Sequence, residues 1–271
     1  MLRQETKLDR PIGIFDSGVG GLTVLHEIMN RLPFEDLIYF GDTARVPYGI
    51  KSAETVTRYS VEIADFLIDH RVKMLVVACN TVSSVAIPDL TARYDVPVIG
   101  VLIPGARAAV SYSACRKVGV IGTEATIGSS AYVKAIHGID AGVEVHTKAC
   151  PLFVPLAEEG WADHQLTSLV AMEYLKDFRN TGIDTLVLGC THYPMLRSAI
   201  QDVMGEGVRL VDSAEETARE VERMLAVNGN PRTGNPHPIR KFYVTDSPDR
   251  FRKVGECFLK HPLTNVERAV I

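Results

Sequence analysis

The segment DFLIDHRVKMLVVACNT, residues 65–81, returns in altered form as DFRNTGIDTLVLGCTH at residues 177–192, with a one-residue gap. Each copy reads as the end of a helix, a short apolar strand and then a cysteine. A similar relation holds upstream between IGIFDSG (12–18) and VGVIGTE (118–124), where an apolar strand ends in a small hydroxyl residue. The order strand-hydroxyl, strand-cysteine therefore occurs twice, and it predicts two similar lobes.

Short apolar runs alternate with amphipathic stretches along the chain, and we expect these runs to be strands buried on both faces. They are IGIF (12–15), LIYF (37–40), MLVVA (74–78), PVIGV (97–101), VGVIG (118–122), VEVHT (143–147), TLVLG (185–189) and VRLV (208–211). Helical spacing is found between them, as in Leu22, Leu25, Met29 and Leu32, or in Val170, Tyr174 and Phe178 after a start at Asp163-His164. Alternating β and α units predict mostly parallel sheets with helices on both faces.

The fold class that we expect is α/β, with two similar lobes that are each a mostly parallel sheet flanked by helices. A pseudo-twofold axis would relate the lobes and place the active site in the cleft between them. Residues 1–102 together with 213–271 are expected to form the first lobe, and residues 103–212 the second. The segment NGNPRTGNPHP (228–238) is predicted to be a surface loop, followed by a final strand, KFYVT, and a helix, PDRFRKVGECFLKH.

Composition excludes several classes of protein. Hydrophobic residues make up 46% of the 271 and charged residues 23%, which is ordinary for a globular chain and unlike a disordered one. The net charge of -4, with dispersed Lys and Arg, predicts no nucleic-acid or membrane partner. The charged N-terminal stretch MLRQETKLDR lacks an apolar leader segment, so we expect a cytoplasmic protein. The five cysteines include no CxxC pair, which predicts reduced thiols.

Two of these cysteines, Cys79 and Cys190, follow predicted strands at the carboxyl ends where parallel sheets bind ligands. A single cysteine there is most often a small core residue. Two in matching positions across a pseudo-twofold axis would instead present one thiol to each side of a bound molecule. Inversion of a stereocentre by proton transfer needs a base on one face and an acid on the other, and a thiolate and a thiol meet both needs.

The residues that flank the two thiols carry hydrogen-bond donors. Asn80 and Thr81 follow the first, and Thr191 and His192 follow the second. With the free backbone N–H groups of a helix start, they suit a carboxylate and would stabilise the charge that a carbanion places on it. Helix capping is an equally good explanation for Thr81 alone.

The glycine-rich turn after the first strand, DSGVGG (16–21), superficially resembles a dinucleotide-binding motif. Thr23 stands where the third glycine should be, and no Gly-Lys-Ser/Thr follows, so nucleotide binding is not expected. Ser17 could hydrogen-bond a substrate, and Asp16 could accept an ammonium proton or assist a thiol; simple turn chemistry is the alternative. A polar loop, GDTARVPYGIKS (41–52), ends at a predicted helix cap, Ser52.

Together these motifs resemble the glutamate racemase family. The likeness spans residues 12 to about 220 and is carried by FDSGVGGLTV (15–24), YFGDTARVPYG (39–49), ACNTVS (78–83), GVLIPGA (100–106), GTEAT (122–126) and LGCTHYP (188–194). Paired CNT and CTHYP motifs are shared with aspartate racemases, whereas PYG after GDTARV is similar to the glutamate branch.

The resemblance implies that Cys79 takes the proton from D-glutamate and Cys190 takes it from L-glutamate. Asp16 would assist the first thiol, and His192 with Glu158 the second. The implied substrate contacts are Asp16, Ser17, Pro47, Tyr48, Gly49, Asn80, Thr81, Thr123, Thr191 and His192. Cys150, in ACPLFVP, is interpreted as a structural thiol.

The family also implies a reaction without pyridoxal phosphate or metal, so no cofactor is expected. The product would supply D-glutamate for bacterial peptidoglycan, and a homodimer is expected. Two alternatives remain at this point: an aspartate racemase or single-thiol decarboxylase of the same architecture, and a non-catalytic two-lobed protein that binds a small molecule. The second thiol argues against the decarboxylase.

Overall fold

Two parallel sheets flanked by helices form the chain, which confirms the predicted fold class. A computed structural model describes residues 9–228 and 231–271. Residues 1–8, which hold most of the charged N-terminal stretch, and 229–230 in the predicted loop lie outside the described residues. The strands are β1 (Ile12–Asp16), β2 (Leu37–Gly41), β3 (Met74–Val77), β4 (Val98–Gly100), β5 (Lys117–Gly122), β6 (Glu144–Ala149), β7 (Thr185–Gly189), β8 (Arg209–Asp212), β9 (Arg240–Val244) and β10 (Val266–Arg268).

Helices follow most of the strands, as the alternation of patterns predicts. They are α1 (Leu22–Arg31), α2 (Ala53–Asp69), α3 (Asn80–Val85), α4 (Ile87–Arg93), α5 (Leu102–Tyr112), α6 (Glu124–Gly128), α7 (Ala131–Ile139), α8 (Phe153–Glu158), α9 (Gln165–Leu175), α10 (Arg197–Met204), α11 (Ser213–Asn228) and α12 (Pro248–Leu259), with 3-10 turns at Tyr48–Ile50, Lys176–Asn180 and Tyr193–Leu196. Ser52 caps α2, accepting a hydrogen bond from the Thr55 N–H, as predicted.

The two sheets share one topology. The first has the strand order β10-β9-β2-β1-β3-β4 and the second β6-β5-β7-β8, and every strand pair is parallel. The order β2-β1-β3-β4 of the first sheet is therefore repeated in the second. β3 and β7, which precede the two cysteines, occupy the same place in their sheets.

Burial along the strands follows their position in the sheet. β1, β2, β3 and β7 are interior strands, and every one of their residues is buried. The prediction of burial on both faces was wrong for β6, which is half exposed because it pairs only with β5 at a sheet edge. β10, a second edge strand with the polar sequence VER, had no apolar run to predict it. Phe178 lies in a 3-10 turn beyond the end of α9.

The connection back to the first sheet is made by α11. This helix begins directly after β8 of the second sheet, and it packs against both α1 and α5. Its apolar face is buried in the same core as the central strands of both sheets. The two sheets are thus connected through the packing of α11 against helices of both.

A buried carboxylate joins three segments at the edge of the first sheet that lies opposite the cysteines. Glu35 is fully buried, and its Oε2 lies 2.6 Å from Nζ of Lys73. Its Oε1 accepts a hydrogen bond of 2.7 Å from the backbone N–H of Arg232. The contacts connect the turns before β2 and β3 to the segment before β9, three strands of one sheet.

Replacement of this carboxylate should be strongly destabilising. We expect Glu35→Ala to lower the free energy of unfolding by about 3–5 kcal/mol, because it removes the buried carboxylate that is paired with the Lys73 ammonium. Asp249→Ala, which removes an exposed ion pair with Arg252, is the control and should change stability by less than about 1 kcal/mol. Urea unfolding followed by circular dichroism measures both, and equal effects of the two substitutions would contradict this role for Glu35.

Candidate active site

A cavity of about 370 Å³ lies between the carboxyl ends of the two sheets. Residues of both lobes line it, and twelve of the thirteen predicted site residues are among them: Ser17, Pro47, Tyr48, Gly49, Cys79, Asn80, Thr81, Thr123, Glu158, Cys190, Thr191 and His192. The thirteenth, Asp16, is buried at the end of β1 next to this lining. The two thiols therefore open into one cavity from opposite lobes.

Cys79 stands between β3 and α3 and is 5% exposed. Its thiol donates to Oγ of Ser17 over 3.7 Å. Burial, and secondly the negative charge of Asp16, raises the pKa of Cys79 to about 12. In the free protein this sulfur is consequently a neutral thiol at neutral pH, ready to give a proton.

Asp16 is held below the cavity by the glycine-rich turn. The N–H of Gly18 donates to its Oδ2 over 2.9 Å, whereas Oδ1 is buried and has no hydrogen-bond partner among the described residues. Burial raises the pKa of Asp16, and the charge of His192 and the backbone N–H groups only partly oppose it. Gly21 permits this close fold, since a Cβ there would lie 2.5 Å from Cβ of Asp16.

Cys190 has partners of a different kind. Its Sγ lies 3.8 Å from Nδ1 of His192, and Nε2 of the same ring lies 3.0 Å from Oε1 of Glu158. Burial opposes the charged form of His192, but its hydrogen bonds to Cys190 and Glu158 outweigh burial and raise its pKa to about 10. The same hydrogen bond lowers the pKa of Glu158. At neutral pH a cationic ring therefore faces the second sulfur.

Hydroxyl and amide groups line the same cavity as the two thiols. Oγ1 of Thr81 lies 3.0 Å from Oγ1 of Thr123, so this side chain contacts the opposite lobe instead of capping α3. Thr123 itself caps α6, accepting from the N–H of Thr126. Asn80 is buried, and its Nδ2 has no partner within residues 9–228 and 231–271. These groups supply donors for an anionic ligand in the cavity.

The loop after β2 is anchored by Asp42, which is fully buried. Its carboxylate accepts hydrogen bonds from the hydroxyls of Tyr48 and Thr245 and from Nε of Arg45, the last over 2.6 Å. Gly49 packs on the second lobe, where an added Cβ would lie 2.8 Å from Cβ of Thr123. Sequence reasoning did not identify Asp42 as the anchor: Arg45 and Tyr48 lie in the same loop, but the third partner, Thr245, comes from a distant segment.

The glycine-rich turn packs on the turn that carries the second thiol. A side chain at Gly20 would collide with Thr191 and His192, and Oγ1 of Thr23 donates to the Thr191 carbonyl over 3.2 Å. The glycines of this turn thus permit close approach of the two lobes.

Several lining residues were not predicted: Gly18, Val46, Ile50, Glu124, Pro151, Val154 and Pro155. Val46 and Ile50 are exposed, and their place in the polar loop after β2 was the only sequence signal for them. Cys150 is fully buried and does not line the cavity, in keeping with the structural interpretation. Among the described residues, no group of three His, Cys, Asp or Glu side chains could hold a metal, and no helix could cross a membrane.

Comparison with known proteins identifies the family of this chain. Residues 17–221 match the family model for Asp/Glu/hydantoin racemases. A glutamate racemase of Geobacter metallireducens is 57% identical over 257 residues, 95% of each chain. Among solved structures, glutamate racemase of Bacillus anthracis has a TM-score of 0.93 at 40% identity, covering 97% of this chain and 98% of that one. Glutamate racemase of Francisella tularensis in complex with D-glutamate has a TM-score of 0.91 at 41% identity, with the same coverage. The chain therefore belongs to the Asp/Glu/hydantoin racemase family, among the glutamate racemases.

Proposed function

We propose that this chain interconverts L-glutamate and D-glutamate with Cys79 and Cys190 as acid and base on opposite faces of the α-carbon. The observation that carries the proposal is the placement of both thiols in one cavity at equivalent strand ends of two sheets with the same topology. The high identity to glutamate racemases over nearly the whole chain supports glutamate as the substrate.

In the direction from L- to D-glutamate, the sulfur of Cys190 acts as a thiolate and takes the α-proton. The cationic ring of His192 faces this sulfur and favours its negative charge. The electron pair left on the α-carbon is delocalised into the α-carboxylate, where Asn80, Thr81 and Thr191 can donate hydrogen bonds. The Cys79 thiol then gives its proton to the opposite face, leaving a thiolate at Cys79 and a thiol at Cys190.

The reverse direction requires Cys79 to begin as the thiolate. Asp16 interacts electrostatically with this sulfur, and burial raises its pKa, so it can hold a proton that Cys79 releases. Once protonated, Asp16 no longer carries the negative charge that raises the pKa of Cys79. Asp16 and His192 thereby act as the partners of the first and second thiols.

The proposal extends to the lobes, the assembly and the location of the protein. The lobes are assigned to residues 1–102 with 213–271 and to residues 103–212, supported by strand membership in the two sheets. A homodimer is supported by the exposed apolar side chains Leu166, Leu169 and Met172 of α9.

Since the reaction needs reduced thiols, a cytoplasmic location fits best. D-Glutamate would serve bacterial peptidoglycan synthesis.

Incubation with L-glutamate in deuterated water tests the two-base reaction. A thiol carries one proton, so the base that removes the α-proton can only return that proton, whereas the opposite thiol delivers deuterium from solvent. We expect initial-rate samples to contain deuterated D-glutamate and undeuterated L-glutamate, as measured by chiral chromatography with mass spectrometry. Deuterium in the residual L-glutamate at early times would contradict two separate bases, and L-aspartate should remain unchanged.

Substitution of either thiol should abolish most of the activity. We expect Cys79→Ser and Cys190→Ser each to lower kcat/KM by about 10²–10⁴-fold, the usual contribution of a positioned acid or base. The exposed Cys257 provides the control, and Cys257→Ser should racemise at the wild-type rate. Circular dichroism should show all three folded. Near wild-type turnover in either of the first two variants would refute their assigned roles.

The Glu158–His192 pair predicts a shift in the pH profile. In Glu158→Gln the imidazolium loses its carboxylate partner, so the pKa of His192 falls. Activity that depends on the charged ring is present below that pKa and is lost as pH rises through it, so the alkaline limb should move to lower pH. Profiles of kcat/KM from pH 6 to 10.5 measure the shift. Glu159→Gln, a neighbour that does not line the cavity, should leave the limb in place.

A further inference from the structure

A buried phenol of the second lobe contacts the turn that carries the thiol of the first. Tyr132, near the start of α7, is 2% exposed, and its hydroxyl donates to Oδ1 of Asn80 over 2.7 Å. Asn80 directly follows Cys79 and is also 2% exposed. The hydrogen bond therefore links the lobe of Cys190 to the turn of Cys79.

Two glycines shape the space that holds this phenol. A Cβ at Gly189, the residue before Cys190, would lie 3.2 Å from Cε2 of Tyr132, and a Cβ at Gly105 would lie 3.3 Å from its hydroxyl oxygen. Backbone thus passes closely on two sides of the side chain. The ring has little room to turn, and its hydroxyl is held at one position beside both thiol turns.

The hydrogen bond from the phenol fixes the orientation of the amide. The Tyr132 hydroxyl donates to Oδ1 of Asn80, so the amide presents its oxygen to Tyr132. Burial, and secondly the charge of Cys190, raises the pKa of Tyr132, so the hydroxyl keeps the proton that it donates. Nδ2 of Asn80 is turned away, and this buried nitrogen has no partner in the described part of the chain, although Asn80 lines the cavity. A buried donor without an acceptor is rare and unfavourable, and it indicates a ligand group that completes it.

We propose that Tyr132 is a positioning residue for racemisation: it fixes the Asn80 amide so that Nδ2 donates to a carboxylate oxygen of the bound amino acid. This inference rests on the proposed function. The donor is then already aligned when negative charge builds on the carboxylate in the transition state, without the amide having to reorient. Because Tyr132 and Asn80 come from different lobes, the donor is aligned only when the lobes are closed on each other.

The test is a double-mutant cycle in kcat/KM with Tyr132→Phe, Asn80→Ala and the double variant. Loss of an aligned hydrogen bond to a charged group should lower kcat/KM about tenfold in Tyr132→Phe. In the Asn80→Ala background the same substitution should have no further effect, because Tyr132 acts through the amide. Tyr94→Phe removes a phenol that donates to Asp65 on the outer side of the first lobe, and it should leave kcat/KM unchanged.

Two results would overturn the proposal: an unchanged kcat/KM in Tyr132→Phe, or a full effect of that substitution in the Asn80→Ala background. Should Tyr132→Phe fail to fold, Asn80→Asp decides the matter. It keeps an acceptor for Tyr132 but replaces the N–H donor with an oxygen, so kcat/KM should fall by more than about tenfold, and near wild-type activity would refute amide donation. Absence of racemisation by the wild-type protein would instead overturn the proposed function.

Discussion

The contact of His192 with both Cys190 and Glu158 is the interaction on which the difference between the two halves of the site depends. The repeated topology alone would give two equivalent thiols, each buried at a strand end. On the second side the carboxylate of Glu158 keeps the buried imidazole charged, and the ring favours negative charge on sulfur. On the first side the neighbour is Asp16, which has the opposite effect. Two lobes with the same strand order thus place their thiols in different electrostatic environments.

Close packing between the lobes makes this electrostatic arrangement possible. The glycine-rich turn after β1 lies against Thr191 and His192, and Gly49 lies against Thr123, so two separate contacts close the cleft around the thiols. Exclusion of water is what gives a single charge such a large effect on a neighbouring pKa. A side chain at Gly20 would separate the lobes there and admit water. The electrostatic interaction between His192 and the sulfur of Cys190 would then be weaker. The glycines are therefore part of the acid-base system, although they carry no functional group.

Much of the fold could be predicted because the repeat marks equivalent strand ends, and parallel strands bring those ends to the same edge of a sheet. This reasoning placed Cys79 and Cys190 in one cleft, and motif resemblance added the residues that follow them. The sequence of a strand does not show whether it lies at the edge of its sheet, and the exposure of β6 was therefore not predicted. Tyr132 was missed for a related reason: it acts through Asn80, a partner far away in sequence, and it lies in no pattern that distinguishes it from an ordinary core residue. Asp42 lies in the motif YFGDTARVPYG beside its partners Arg45 and Tyr48, but its contact with the distant Thr245 could not be predicted from that motif.

The asymmetry of the two thiols cannot favour one enantiomer at equilibrium. L- and D-glutamate have the same free energy, so kcat/KM must be equal in the two directions at every pH, whatever the protein does to its own side chains. Asp16 and His192 can therefore raise or lower kcat/KM only by the same factor in both directions, and they also determine which protonation form of the free protein predominates. The neutral thiol of Cys79 and the cationic ring beside Cys190 favour the form that accepts L-glutamate. Release of D-glutamate leaves the opposite form, so the protein must redistribute its protons before the next L-glutamate can react. Asp16, buried next to Cys79 with one oxygen unpartnered among the described residues, is placed to take part in that step.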